Sequence, residues 1–71
     1  MEIKRLWHSR AVAEVGYDGD ARTLRIRFKH GGLYDYLDVP TEVYAGLISS
    51  AHPWTEWGEQ IKATYEFVVV E

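Results

Sequence analysis

Between Thr23 and Lys29 the chain alternates apolar and basic residues without a break, Leu24, Ile26 and Phe28 against Arg25, Arg27 and Lys29. Side chains on a strand point alternately to opposite faces, so this spacing predicts a strand with one face in a core and a cationic stripe on the other. Such a strand needs neighbours. Arg10–Tyr17, with Val12, Ala13, Val15 and Tyr17 among polar residues, reads as the strand before it. Asp18-Gly19-Asp20-Ala21 reads as the turn between them, because Asp can hydrogen-bond its own loop. Gly31-Gly32 reads as a hairpin turn, since glycine meets positive φ without steric cost, and Leu33–Val39 as the returning strand.

Helical spacing takes over after Pro40. Val43, Tyr44, Leu47, Ile48 and Ala51 recur three or four residues apart, with Pro40 suited to a helix start and Glu42 to the positive end of its dipole. Pro53 ends that helix and can begin another, along which Trp54, Trp57, Ile61 and Tyr65 keep the same spacing. Gly58 inside it costs about 1 kcal/mol against Ala, which predicts a short or bent helix. The β-branched run Phe67–Val70 can add a last strand or lie along a sheet edge. The fold class is therefore α+β: one domain over residues 1–71, a three- to four-stranded antiparallel meander packed against two short helices. At 71 residues the core is small, and ten aromatic rings are the natural compensation.

The length of the Gly31-Gly32 turn decides where Tyr34 and Tyr36 point. A two-residue turn sets Lys29 opposite Tyr34 and Arg27 opposite Tyr36, making an exposed aromatic–basic platform. A three-residue loop sets Phe28 opposite Tyr34, Ile26 opposite Tyr36 and Arg27 opposite Asp35. It sends both tyrosines into the core, and exposes Leu33 and Leu37. A one-residue slip exchanges the faces. The second register is preferred because it keeps Arg25, Arg27, Lys29 and Asp35 in water.

Charge and cysteine content narrow the chemistry. The net charge is −3, but Met1–His30 holds seven bases against four acids, and Gly31–Glu71 only Lys62 against seven acids. Such asymmetry either steers a partner or pairs the two halves internally. Without cysteine there is no disulfide, thiolate metal site or Cys nucleophile, and a reducing cytoplasm fits. No apolar run approaches the ~20 residues of a membrane span. His8, His30 and His52 lie 22 residues apart each time, without local metal-ligand spacing. Neither His8-Ser9 nor Ser49-Ser50 has a nucleophile motif around it, and Gly31-Gly32 lacks the context of a phosphate loop. The expectation is a non-enzymatic module without metal or cofactor.

The motifs Val12-x-x-Val15-x-Tyr17-Asp18, Leu24-x-Ile26-x-Phe28, Gly31-Gly32, Tyr34-x-Tyr36-x-x-Val39-Pro40 and Val43-Tyr44-x-x-Leu47 together resemble the KTSC domain. The hallmark of that family is a central Y-x-Y. Ile61-Lys62-x-x-Tyr65 is similar to its closing I-[KR]-x-x-Y, so the resemblance runs from about Ser9 to Tyr65. One segment departs: where the family tends to carry Ser-x-Gly, an aromatic pair and Asn, this chain has His52-Pro53-Trp54-Thr55-Glu56-Trp57-Gly58, one residue shorter. The family occurs at the C-terminus of some lysyl-tRNA synthetases and as small stand-alone bacterial and phage-associated proteins. The resemblance implies RNA binding through the synthetase context, and it marks Tyr34 and Tyr36 as the family's aromatic pair.

Two function classes follow. In the first, Arg25, Arg27 and Lys29, about 6.6 Å apart along one strand face and joined by Arg10, track the phosphates of RNA or DNA. The plainer reading of that stripe is a solvated face paired with Asp35 and Glu14. In the second, the domain contacts another protein or a second copy of itself through Val68-Val69-Val70 or Trp54. Paired Trp rings at helical spacing are more often core than contact surface, and Trp54, just after Pro53, is evenly poised between the two.

Overall fold

In the computed structural model, which describes all of residues 1–71, the alternating segment forms the middle strand of a five-stranded antiparallel sheet. The elements in chain order are β1 (Glu2–Arg5), β2 (Val12–Asp18), β3 (Thr23–Phe28), β4 (Leu33–Tyr36), α1 (Thr41–Ser49), α2 (Pro53–Thr64) and β5 (Phe67–Val69). Strand order in the sheet is chain order, β1-β2-β3-β4-β5. The α+β class stands, with one strand more than the meander expected. Glu2–Arg5 has a single apolar residue and becomes a strand only because β2 offers it an edge.

Cross-strand pairs put Val15, Ile26, Tyr34 and Val69 in one row of the inner face, and Tyr17, Leu24, Tyr36 and Phe67 in the next. Leu24 and Ile26 are fully buried there, in one cluster with Val43 and Leu47 of α1 and Ile61 of α2. The register of β2 slips between Val12 and Glu14, so Val12 pairs with Phe28 and Glu14 with Arg27. This bulge is what lets residues three apart, Val12 and Val15, both reach the core.

The tyrosines face inward, as the preferred register requires, but the pairing differs from it by two residues. Ile26 lies opposite Tyr34, Leu24 opposite Tyr36, and Asp35 opposite Arg25 rather than Arg27. The last β3–β4 pair is Arg27 with Leu33, followed by a wide loop in which the Phe28 N–H donates to the Gly32 carbonyl at 3.0 Å. Leu33 is buried rather than exposed. Neither loop glycine has positive φ. Gly32 is needed for a different reason: a Cβ there would collide with the Glu71 carbonyl oxygen, which accepts from the Leu33 N–H. Left-handed backbone falls instead on Arg22 (φ 56°) and Asp38 (φ 57°). The Asp18 turn forms as expected, its Oδ1 accepting from the N–H groups of Asp20 and Ala21.

Both helices begin where proline predicts, with Pro40 as the residue before α1 and Pro53 in the first turn of α2. Helix α2 runs its twelve residues through Gly58 without a break. A Cβ at Gly58 would lie 2.8 Å from Trp54 Cε2, so the glycine makes room for an indole lying against its own helix. No helix is long and apolar enough to cross a membrane.

Candidate functional site

The outer face of the sheet carries the sequence's cationic stripe, and carboxylates meet it there. Asp35, directly opposite Arg25, accepts from its Nε at 2.7 Å and from its Nη2 at 2.9 Å, a two-pronged pair in fixed planar geometry. That hydrogen bonding, outweighing partial desolvation, raises the Arg25 pKa above its ordinary value. Arg27 lies 3.5 Å from Glu14 and 3.2 Å from Glu71, and Arg5 reaches the same Glu14 at 3.7 Å. Lys29 falls just past the end of β3, and its Nζ donates to the Ser9 carbonyl. The stripe is a ladder of ion pairs across four strands and the C-terminal residue.

The inner face is different where the helices leave part of it uncovered. Five rings touch in a closed circuit there. Phe28 meets Tyr34 edge to face at 5.4 Å, and Tyr34 meets Phe67 at 5.4 Å. Phe67 meets Tyr36 at 5.8 Å, Tyr36 meets Trp54 at 6.4 Å, and Trp54 returns to Phe28 at 5.1 Å. Burial raises the Tyr36 hydroxyl pKa, with a smaller contribution from neighbouring Tyr34. Phe67, by contrast, is 52% exposed, so the circuit grades from core to solvent.

These rings line an open groove of about 620 Å³, whose polar rim is Arg10, His30 and Lys62. A second hollow of about 510 Å³ adjoins it and shares Arg10, Ala11 and Trp54, adding His8 and His52. Trp54 therefore stands between the two. Neither hollow has an Asp or Glu in its lining, although the chain has eleven of them. The surface offered is aromatic and cationic, suited to a ligand with flat rings and negative charge. No group of three or more His, Asp or Glu is placed to hold a metal ion.

This architecture can be matched to known proteins, and the family model of the KTSC domain covers residues 8–65. The chain belongs to the KTSC domain family. It is also similar to the crystal structure of a KTSC domain protein from Yersinia pestis, at 27% identity and a TM-score of 0.87, over 99% of this chain and 100% of that one. No curated protein matches it. Strands β1 and β5 lie outside the family-model match, yet the Yersinia structure aligns over nearly their whole length. The KTSC hallmark Tyr34-x-Tyr36 supplies two of the five rings, and the closing Ile61-Lys62 supplies a core residue and a rim cation.

Of the residues singled out from sequence, Tyr34, Tyr36, Trp54 and Arg10 come together at this groove. Arg25, Arg27 and Lys29 do not; they occupy the opposite face of the sheet or its rim. Sequence reading missed Phe28 and Phe67 as groove walls and Lys62 as a rim cation. The I-[KR]-x-x-Y motif carried the only available signal for Lys62, since it puts a cation next to the buried Ile61.

Proposed function

We propose that this KTSC domain is a non-enzymatic module that binds single-stranded nucleic acid along the aromatic groove rather than along the outer-face stripe. The carrying observation is the pair of adjoining hollows with rings and cations but no carboxylate, in a chain of net charge −3. Bases stack on exposed rings whatever their sequence, and phosphates gain most from cations that hold no carboxylate already. Trp54, between the hollows, is the stacking platform; Arg10 and Lys62 are the phosphate contacts. Arg25 is held by Asp35, and Arg27 already shares its charge with Glu14 and Glu71, so neither offers a phosphate an unanswered cation. The KTSC resemblance favours RNA as the strand bound.

The test is fluorescence anisotropy with labelled single-stranded RNA and DNA over a salt series. Wild-type protein is expected to bind with a negative slope of log K against log salt. Arg10→Ala/Lys62→Ala should make that slope shallower by about 1.4, two contacts at about 0.7 each. Arg25→Ala/Arg27→Ala should leave it unchanged. Binding no better than that of an acidic control protein overturns the reading, as does a slope that responds only to Arg25 and Arg27.

A further inference from the structure

The two edges of the sheet are not equally protected. β1 alternates Glu2, Lys4 and Arg5 with one apolar residue, which discourages a strand from adding there. β5 has no charge, no proline and no bulge, and Phe67, Val68, Val69 and Val70 are 52%, 52%, 56% and 41% exposed. Its backbone is equally open. The Leu37 N–H donates to the Glu66 carbonyl and the Val70 N–H to the Leu33 carbonyl, so Glu66, Val68 and Val70 bond inward to β4. An antiparallel ladder alternates, which leaves the N–H and C=O of Phe67 and Val69 directed away from the sheet.

From this geometry we infer that β5 pairs antiparallel with β5 of a second copy, centred on Val68, joining two sheets into one. In that register the outward groups of Phe67 meet those of the partner's Val69, and the reverse, giving four backbone hydrogen bonds from two residues a side. Phe67 packs beside the partner's Val69 on the inner face, and the two Val68 side chains meet on the outer face. Glu66 falls opposite the partner's Val70, so no two carboxylates face each other across the junction. A second copy is the favoured occupant because this one short strand is apolar on both faces and self-complementary in donors and acceptors. With so few residues a side, the interface falls below the usual size of a stable dimer, and association is weak and concentration-dependent. The pairing also sets two grooves side by side on one face, because Phe67 belongs to both the junction and the groove wall. It does not depend on what the groove binds.

Sedimentation equilibrium across a concentration series, with amide shifts followed on dilution, tests this. The expected result is a monomer–dimer equilibrium in which the Phe67–Val70 amides move on dilution and the β1 amides do not. Val69→Pro removes an outward N–H without touching the β4 ladder, and Val69→Lys adds charge at the junction. Each should weaken association at least about tenfold, while Ile3→Lys on the other edge leaves it unchanged. A protein monomeric up to about 1 mM overturns the inference, as does a dimer that survives both Val69 variants. Nucleic-acid binding by a strict monomer overturns this inference alone.

Discussion

Arg25 and Arg27 on one side of the sheet, and Arg10 and Lys62 on the other, are two cationic groups with opposite situations. The first is spelled out along one strand and answered residue by residue, by Asp35 across the β3–β4 ladder, by Glu14 across β2–β3, and by Glu71 at the chain's end. The second comes from a pre-strand segment and a helix, and the fold gathers it around aromatic rings in a groove whose lining has no carboxylate. A charge pattern in sequence thus counts cations without saying which are free. Freedom is decided by register, because a cross-strand partner is where an ion pair forms.

That contrast can be broken most forcefully at Trp54. Trp54→Ala removes the ring between the hollows and should lower single-stranded RNA affinity by about fivefold or more, from stacking worth about 1–3 kcal/mol per base. Trp54→Phe should recover part of it, and unchanged far-UV circular dichroism would show that the fold is intact. Next comes the ion-pair side. Asp35→Ala leaves Arg25 without its two-pronged partner and should cost about 1 kcal/mol in urea unfolding, a figure reduced for partial exposure. The same variant frees a cation on the outer face, so weak salt-sensitive RNA binding should appear there even in a Trp54→Ala background.

A pH series separates the two sides further. Burial holds the Tyr36 hydroxyl pKa above its ordinary value of 10.0. The folded protein therefore keeps a proton that the unfolded chain gives up, and stability is complete below about pH 10 and falls as pH rises through that range. In Tyr36→Phe the alkaline fall in melting temperature should be shallower, whereas Arg25→Met should leave its steepness unchanged. The smallest effect is expected for Arg27→Ala. Its pairs with Glu14 and Glu71 are exposed enough that urea unfolding should change by no more than about 0.5 kcal/mol.

Much of the fold is legible in the sequence because alternation and helical spacing are local signals. Leu24-x-Ile26-x-Phe28 announces β3 and its buried face, and Pro53 announces α2. What escapes is what depends on contact between distant segments. Glu2–Arg5 has no strand pattern of its own. The β3–β4 register turns on a loop whose glycine answers to the approach of Glu71, not to backbone handedness. Of the site, the Tyr34–Tyr36 pair, Trp54 and Arg10 are legible one by one. Their meeting with His30, Lys62 and Phe67 is not, since nothing local links residues 10, 30, 62 and 67.

The order of strands along the sheet has a kinetic consequence. Each of the first three ladders joins neighbours in the chain, closed by short connections, whereas β4–β5 joins Tyr36 to Phe67 across both helices. Closing that long loop costs more entropy than closing the hairpins, for only three paired residues. β5 should therefore dock last in folding and detach first in native fluctuations, with the fastest amide exchange of any strand facing inward. Since Phe67 closes the circuit of rings, each detachment opens that circuit, and the lifetime of the groove's outer wall is the lifetime of this strand.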